Sequence, residues 1–414
     1  ALGLAFSPPR DTIVWDVGHQ SYPYKLLTGR YPEFATIRKE GGLAGFPCRE
    51  ESQYDMFTCG HSSTSISSAL GVSEANYLQG KEGYVVAVIG DGALTGGLAY
   101  EGLNNAGRLH RNLIVILNDN TMSISKNVGS MARYLSYIRT KPGYIKTKNR
   151  LERSLRKLPV VGAVIAGGLR RLKRGVKRLF YNSTIFEDFG FAYYGPFDGH
   201  NVKELAETLE TAKLINKPVL IHVRTYKGKG YQYAEQDPTI YHGLSGFDVT
   251  TGDTGEKSQS FSDEFGKTLC ALARENGKLC AITAAMQSGT GLGEFREEFR
   301  NRFFDVGISE EHAVTFAGGL AAGGMLPVFA VYSTFLQRAY DELIHDISMQ
   351  NTKVILAIDR AGVVGEDGKT HQGVFDTAYL QSIPNITVYS PSYFRELRIQ
   401  LTHLVEKGQG LCAI

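Results

Sequence analysis

Short apolar runs alternate with helical patterns along most of the chain, and this alternation is typical of parallel βαβ units. In the first part, three runs are short, β-branched and apolar throughout, which predicts strands buried on both faces of a sheet. These runs are YVVAVI (residues 84–89), NLIVIL (112–117) and PVLIHV (218–223). We therefore expect a doubly wound parallel sheet within residues 1–245.

The alternation is interrupted at residues 246–260, which are polar, rich in glycine and without periodicity, as expected of an interdomain linker. It then resumes, with predicted strands at LCAIT (279–283), FFDVG (303–307), LPVFAV (326–331), KVILAI (353–358) and ITVYS (386–390). The predicted fold class is α/β, with a second doubly wound parallel-sheet domain at residues 261–414.

The composition of the 414 residues argues against a membrane-spanning protein. Hydrophobic residues make up 43% and charged residues 21% of the chain. No apolar run approaches the roughly 20 residues that a bilayer span needs. Five scattered cysteines form no C-x-x-C pair, which favours reduced thiols and a cytoplasmic location.

Positive charge is concentrated in a basic insertion, residues 133–178, with fifteen Lys and Arg against one acidic residue, Glu152. The formal net charge of the whole chain is only +3. Three interpretations compete: a membrane-surface helix, a nucleic-acid patch, or a solvated insertion near a binding cleft. We favour the last and expect no nucleic-acid partner, because runs of charge are usually solvated surfaces.

Polar residues follow two of the predicted strands at βαβ spacing. Asp91 and Asn120 are 29 residues apart, which places both at the carboxyl ends of parallel, neighbouring strands. A carboxylate, an amide oxygen and a backbone carbonyl near Met122 would suit Mg²⁺ or Ca²⁺ together with phosphate oxygens. The glycines around Asp91 would let backbone N–H groups approach an anion. Either motif alone would more often be a turn or a helix cap, but the pair indicates a magnesium diphosphate site.

At this point the chain resembles thiamine diphosphate enzymes, whose motif is G-D-G followed by N-x-N. More closely, it resembles the 1-deoxy-D-xylulose-5-phosphate synthase family over essentially its whole length. The matching stretches are WDVGHQSYPYKLLTGR (15–30), GHSSTSISSALG (60–71), GDGALTGGLAYEGLNNAG (90–107), NDNTMSIS (118–125), KGKGYQYAE (227–235), DVGISEEHAVTFAGG (305–319), YSTFLQRAYDELIHD (332–346) and DRAGVVGEDGKTHQG (359–373).

The resemblance implies two thiamine diphosphate-binding α/β domains and a set of cofactor residues. Mg²⁺ would be held by Asp91, Asn120 and the Met122 carbonyl. The implied cofactor-binding residues are His19, Gly60, His61, Ser62, Gly92, Ala93, Asn120, Tyr231, Glu310 and Phe335.

The resemblance also assigns the acid that activates the cofactor to Glu310, whose carboxyl would hydrogen-bond the aminopyrimidine ring and favour the tautomer that deprotonates the thiazolium. Local sequence alone does not distinguish Glu310 from its neighbour Glu311.

The remaining implied residues serve the substrate. Tyr332, Arg338, Arg360 and Asp367 would receive a phosphorylated aldehyde, since arginine binds phosphate through paired donors. His371 and His19 would exchange protons, because histidine titrates near neutral pH. As bare residues, the charged ones could equally belong to surface ion pairs.

The implied reaction is the condensation of pyruvate with D-glyceraldehyde 3-phosphate, with loss of CO₂, in a homodimer. Its product, 1-deoxy-D-xylulose 5-phosphate, would serve isoprenoid, thiamine and pyridoxal biosynthesis. Relative to the family, the chain starts after a GGH segment and stops before an RYPRG segment and a third domain. The alternatives are a transketolase or another ketol transferase that uses thiamine diphosphate, or an inactive fragment. A bacterial cytoplasmic location is expected, with a plastid as the alternative.

Overall fold

The computed structural model describes residues 1–109, 111–122, 128–139, 184–243, 246–255 and 258–414. Most of the predicted basic insertion 133–178 lies outside these ranges, as do residues 256–257 of the predicted linker. The described residues form two α/β units, and every pairing between their named strands is parallel.

The first unit is built on a five-stranded sheet with the order β1-β2-β3-β5-β4. Its described helices and strands are, in chain order, α1 (Leu2–Ala5), β1 (Thr12–Trp15), α2 (Tyr22–Lys25), α3 (Ser65–Leu78), β2 (Val85–Gly90), α4 (Gly97–Ala106), β3 (Leu113–Asp119), α5 (Gly129–Arg139), α6 (Ile185–Asp188), β4 (Ala192–Asp198), α7 (Val202–Lys213), β5 (Val219–Arg224) and α8 (Gln232–Gln236).

The strands of this sheet are buried on both faces because alternate side chains enter two separate cores. Val85, Ala87 and Ile89 of β2 pack in one core with residues of α3 and α4. Val86 and Val88 pack in the other core, with residues of α1 and α7. Helices therefore cover both faces, as expected of a doubly wound sheet.

The second unit has a six-stranded sheet with the order β10-β11-β9-β8-β6-β7. Its helices and strands are α9 (Phe261–Glu275), β6 (Leu279–Thr283), α10 (Gly293–Glu298), β7 (Phe303–Asp305), α11 (Glu310–Ala322), β8 (Leu326–Tyr332), α12 (Ser333–Leu336), α13 (Tyr340–Glu342), β9 (Val354–Asp359), α14 (Asp376–Gln381), β10 (Thr387–Val388), α15 (Phe394–Lys407) and β11 (Leu411–Ala413). One core lies against α9 and α15, and the other lies against α11.

The structure confirms two parallel-sheet α/β domains and all eight predicted strands. It adds three strands that the sequence pattern did not predict, namely β1, β4 and β11. The exact domain limits at 245 and 261 stay a prediction. Across the described ranges, no helix combines the length and the apolar character needed to cross a membrane.

Candidate active site

The first part of the candidate site is the carboxyl edge of the first sheet, where β2 and β3 end side by side. Asp91 directly follows β2, and Asn120 directly follows β3. The Asp91 carboxylate accepts a hydrogen bond from the Thr121 N–H (2.8 Å). The Met122 N–H donates to the side-chain oxygen of Asn120 (3.0 Å). The three predicted metal ligands therefore belong to two loops that contact each other.

The electrostatics of this edge fit a divalent cation. Asp91 and Asp119 are only 4% and 1% exposed. Burial, with the neighbouring Asp119 charge, raises the pKa of Asp91 to about 8. Burial also lowers the pKa of Lys227 to about 8, although the attraction of Asp91 opposes this change. A cation would relieve the repulsion between the carboxylates, and the Asn120 oxygen has a second lone pair for it. The donor set, all oxygen, suits Mg²⁺.

The loop after β2 is packed closely against two other loops at the position of Gly96. A Cβ atom on Gly96 would clash with the Ser63 hydroxyl and lie 3.2 Å from the Ile308 carbonyl of the second domain. The Ser63 hydroxyl also donates to the Ala93 carbonyl (2.7 Å), so it cannot turn away without losing that bond. Gly92 and Ala93, two predicted cofactor residues, lie on this tightly held loop.

We expect Gly96→Ala to destabilise the chain by about 1–3 kcal/mol, the usual cost of overpacking. Gly97→Ala is the matched control, because nothing lies within 4 Å of its Cβ position and it starts α4. The control should be neutral or slightly stabilising, since alanine favours helix. Urea unfolding of the two variants measures the difference. Equal stabilities would show that the contact of Gly96 is not tight.

The loop carrying Gly60, His61 and Ser62 is fixed by Asp16, at the end of β1. The buried Asp16 carboxylate accepts from the N–H groups of Ser63 (2.7 Å) and Ser65 (3.0 Å). Ser63 has a positive φ of 70°, a conformation that L-residues adopt only when their surroundings enforce it. A short stretch before α3 thereby presents three predicted cofactor residues in one geometry.

Arg338 connects this loop to the second domain. Its guanidinium donates to the Ser62 hydroxyl (3.1 Å) and to the Ser62 carbonyl. Gly60 lies at the same domain boundary, where an added Cβ would be 2.5 Å from the Thr370 hydroxyl. The His61 Nε2 atom is 2.9 Å from the Thr370 carbonyl. The candidate cofactor site is therefore formed between the two domains of one chain.

Glu310 is the first residue of α11 and is only 2% exposed. Its Oε2 atom is buried and has no hydrogen-bond partner among the described residues. Burial raises the pKa of Glu310 to about 7, with the Arg338 charge acting in the opposite direction. The neighbouring Glu311 is half-buried. A buried carboxyl oxygen that lacks a partner fits a ring nitrogen of a bound cofactor, because an unmade buried hydrogen bond costs stability.

Rings from both domains also meet at this boundary. The His61 ring lies 5.1 Å from the Phe335 ring and 5.7 Å from the His371 ring, measured between centroids. Phe46 stacks on His371 at 4.7 Å. Burial lowers the pKa of His371 to about 4, so its imidazole is neutral at pH 7.

Tyr332 ends β8 and contributes a second ring surface. Its ring lies 5.9 Å from the Phe335 ring, and the Arg360 guanidinium lies 3.9 Å above it. Arg360 has a φ of 56°, which holds its backbone in the left-handed region. Tyr332, Phe335 and Arg360 therefore form one continuous surface with the His61–His371 pair.

Asp367, a predicted substrate residue, pairs with a residue that the sequence did not single out. Arg38 of the first domain donates to the Asp367 carboxylate at 2.6 Å, across the domain boundary. His19 also has an unpredicted neighbour, His242, at a centroid distance of 5.4 Å. The His19 side chain is exposed, but desolvation by the surrounding protein lowers its pKa to about 4. Burial lowers the pKa of His242 to about 3.

Sequence reasoning missed Arg38, His242 and Lys227. Lys227 lies in the KGKGYQYAE stretch quoted above, so its proximity to a motif residue was the available signal. Arg38 and His242 lie outside the long helices and strands, where periodicity marks no face. Their contacts with Asp367 and His19 bridge large separations along the chain, which a single sequence does not reveal.

Tyr231, a predicted cofactor residue, has its described contacts away from this cluster. Its ring lies near those of Tyr233, Tyr241 and Phe247, and its hydroxyl donates to the Val249 carbonyl (2.9 Å). The structure describes no contact between Tyr231 and the metal loops, and its predicted role stays a prediction.

Comparisons with known proteins agree with this architecture. Residues 257–414 match the family model of the transketolase pyrimidine binding domain, so this part of the chain is transketolase-like. The first half matches the family model of 1-deoxy-D-xylulose-5-phosphate synthase over residues 1–225. The chain belongs to the 1-deoxy-D-xylulose-5-phosphate synthase family, as its motifs predict.

Two curated relatives carry the name 1-deoxy-D-xylulose-5-phosphate synthase. The chain is 55% identical to that of Symbiobacterium thermophilum, over 97% of this chain and 62% of the relative. It is 53% identical to that of Clostridium kluyveri, over 98% of this chain and 65% of the relative. The chain thus spans less than two thirds of the length of these relatives. A solved transketolase from Leishmania mexicana is 18% identical over 97% of this chain and 68% of its own, with a TM-score of 0.38.

Proposed function

We propose that the chain provides the catalytic site for the condensation of pyruvate with D-glyceraldehyde 3-phosphate, with loss of CO₂, to give 1-deoxy-D-xylulose 5-phosphate. One observation carries the proposal. The buried Glu310 carboxyl, whose Oε2 atom has no hydrogen-bond partner among the described residues, lies near Arg338, which bridges to Ser62 of the first domain. Ser309, the residue before Glu310, donates to the Thr95 carbonyl of the loop that follows Asp91 (3.3 Å).

In this proposal, Asp91, Asn120 and the Met122 carbonyl would hold Mg²⁺ together with the diphosphate of thiamine diphosphate. When bound, thiamine diphosphate supplies a carbon nucleophile and accepts the electron pair released with CO₂. The chain orients this cofactor through the Gly60–Ser62 loop, Gly92 and Ala93, Tyr231 and the ring of Phe335. These residues come from both domains, so closure of the domain boundary also excludes water from the site.

Glu310 holds a proton for the cofactor's pyrimidine ring. Because its pKa lies near 7, a large fraction of its carboxyl is protonated at neutral pH and can donate a hydrogen bond from an oxygen. Its position at the start of α11 is fixed by the helix, so the proton is held at a defined point.

The substrate is received by the surface next to Glu310. Arg360 and Arg338 offer paired N–H donors to a phosphate, and Tyr332 borders the reacting carbonyl. His371 is neutral at pH 7, and the Thr370 hydroxyl lies 2.9 Å from its Nδ1 atom, which leaves Nε2 for proton exchange. His19 serves a similar role at the other side of the cleft. Asp367, paired with Arg38, borders the entrance from the second domain.

We also propose a cytoplasmic homodimer in which each subunit contains its own site. The contacts of His61 and Arg338 between the two domains of one chain support a site within the subunit. Five unpaired cysteines support a reducing compartment. Light scattering of the purified chain tests the dimer.

The reaction is tested by supplying Mg²⁺, thiamine diphosphate, labelled pyruvate and D-glyceraldehyde 3-phosphate. We expect CO₂ release that depends on both substrates, with 1-deoxy-D-xylulose 5-phosphate as the product by mass spectrometry. Transfer of a ketol unit from a sugar phosphate, with no CO₂ release, would instead indicate a transketolase. Cofactor binding without either reaction would contradict the proposed activity while leaving the cofactor site intact.

A further inference from the structure

Three buried polar side chains form a series of hydrogen bonds across neighbouring strands of the first sheet, next to the metal loops. The Tyr193 hydroxyl lies 2.8 Å from Nδ1 of His222, and Nε2 of His222 lies 2.9 Å from Asp119 Oδ2. None of these residues is more than 1% exposed. They belong to β4, β5 and β3, which are adjacent in the sheet, so the chain of hydrogen bonds runs diagonally toward its carboxyl edge.

The chemistry of the groups fixes the direction of the hydrogen bond at Asp119. The Asp119 carboxylate only accepts, so His222 donates from Nε2–H. Nδ1 of His222 is then the ring atom that pairs with the Tyr193 hydroxyl. Phe186 stacks on the Tyr193 ring at 5.6 Å and keeps the hydroxyl aimed along this path.

The end of the chain of hydrogen bonds reaches the metal loop. Asp119 Oδ1 accepts a hydrogen bond from the Thr121 N–H (3.2 Å), and the Asp91 carboxylate accepts from the same N–H. Thr121 has a φ of 67°, which is an unfavourable conformation for a β-branched residue. Such a turn persists only where its surroundings enforce it. The two carboxylates provide that restraint on the residue between Asn120 and Met122.

We propose that Tyr193, His222 and Asp119 act as positioning residues that hold the 120–122 turn in the geometry required for Mg²⁺. This inference rests on the proposed function, because it assumes that Asn120 and Met122 are ligands. Tyr193 and His222 touch neither the ion nor the substrate. They act by fixing the rotamer of Asp119, which in turn fixes the Thr121 backbone. Partners behind metal ligands are known to change metal affinity about 10–100-fold when removed.

The test measures Mn²⁺ affinity, as a probe for Mg²⁺, by electron paramagnetic resonance in the presence of thiamine diphosphate. Three variants probe the chain of hydrogen bonds. His222→Leu removes both of its bonds, His222→Gln keeps an N–H donor for Asp119, and Tyr193→Phe removes only the hydroxyl. Tyr84→Phe is the matched control, because it removes a tyrosine hydroxyl bond (2.8 Å to the Lys213 carbonyl) at the opposite edge of the same sheet.

We expect His222→Leu to weaken Mn²⁺ binding about 10–100-fold. Tyr193→Phe should weaken it less, and His222→Gln should restore most of the affinity. Tyr84→Phe should bind as the wild type does. If His222→Leu does not fold, the Tyr193→Phe result decides the question.

Two outcomes would overturn the inference, and they differ in what else they affect. If His222→Leu and Tyr193→Phe bind Mn²⁺ as tightly as the wild type does, the positioning role is refuted but the metal site is not. The same conclusion follows if Tyr84→Phe loses affinity as much as Tyr193→Phe does, because the effect would then follow general stability. A wild-type chain that binds no Mn²⁺ with thiamine diphosphate refutes the metal site, and with it both the proposed function and this inference.

Discussion

Replacing Glu310 with Gln is expected to lower the rate of the proposed reaction about 10²–10⁴-fold while leaving thiamine diphosphate affinity nearly unchanged. Glutamine fills the same buried volume and can still donate a hydrogen bond, but it cannot give up and regain a proton. Binding and proton transfer should therefore separate. Calorimetry measures the binding of thiamine diphosphate, and exchange of the thiazolium C2 proton, followed by NMR, measures the proton transfer directly.

Glu311→Gln is the matched control for this prediction. Glu311 is the next residue of α11, has the same side chain and is half-buried, whereas Glu310 is 2% exposed. We expect the control to exchange the C2 proton at the wild-type rate. Normal exchange in Glu310→Gln, or slow exchange in both variants, would show that Glu310 is not the activating acid.

The same variant should change how stability depends on pH. The folded chain holds the pKa of Glu310 at about 7, above its ordinary value of 4.5, because burial disfavours the charged form. The stability that the protonated carboxyl contributes is therefore complete below pH 4.5 and is lost as the pH rises through 7. Between pH 5 and 8, the cofactor-free wild type should lose about 2–3 kcal/mol relative to Glu310→Gln. Urea unfolding at both pH values tests this, and a constant difference would contradict it.

The predicted strands of the first sheet share one property. The runs in β2, β3 and β5 are apolar at nearly every position because both faces of the sheet are covered by helices. The missed strands lack an uninterrupted apolar run of comparable length. β1 and β11 have four and three residues, and β4 contains Gly195 and Pro196 at an irregularity in its pairing. Hydrogen bonds to a neighbouring strand, rather than its own pattern, define each of them.

The candidate site divides in a similar way. The proximity of Asp91 and Asn120 was predictable, because βαβ connections place the ends of successive parallel strands at one edge. The difference between Glu310 and Glu311 was not, since both lie in the first turn of α11 and only packing buries one of them. The pairs Arg38–Asp367 and His19–His242 were also not predictable. They depend on how the domains and loops meet, which no local pattern specifies.

The second large effect is expected for Asp91, whose replacement by Ala should abolish binding of thiamine diphosphate in the presence of Mg²⁺. This change removes a charged ligand itself, so the loss of affinity should exceed the roughly 10–100-fold typical of residues behind a ligand. Asp91→Asn removes the charge of the side chain but keeps its shape. The amide oxygen can still accept a hydrogen bond from the Thr121 N–H (2.8 Å in the wild type). We expect it to leave the cofactor-free chain folded while weakening metal binding strongly.

Asp198→Ala provides the control, because Asp198 also ends a strand at the carboxyl edge of this sheet but is exposed. Its affinity for the cofactor with Mg²⁺ should equal that of the wild type. Calorimetric titrations with and without Mg²⁺ distinguish the cases. If Asp91→Asn binds the cofactor as tightly as Asp198→Ala does, and equally well without Mg²⁺, then the carboxylate of Asp91 is no metal ligand. Two buried carboxylates as close as those of Asp91 and Asp119 are stable only with a shared proton or a bound cation. If Asp91 binds no metal ion, a shared proton is the remaining explanation for this pair.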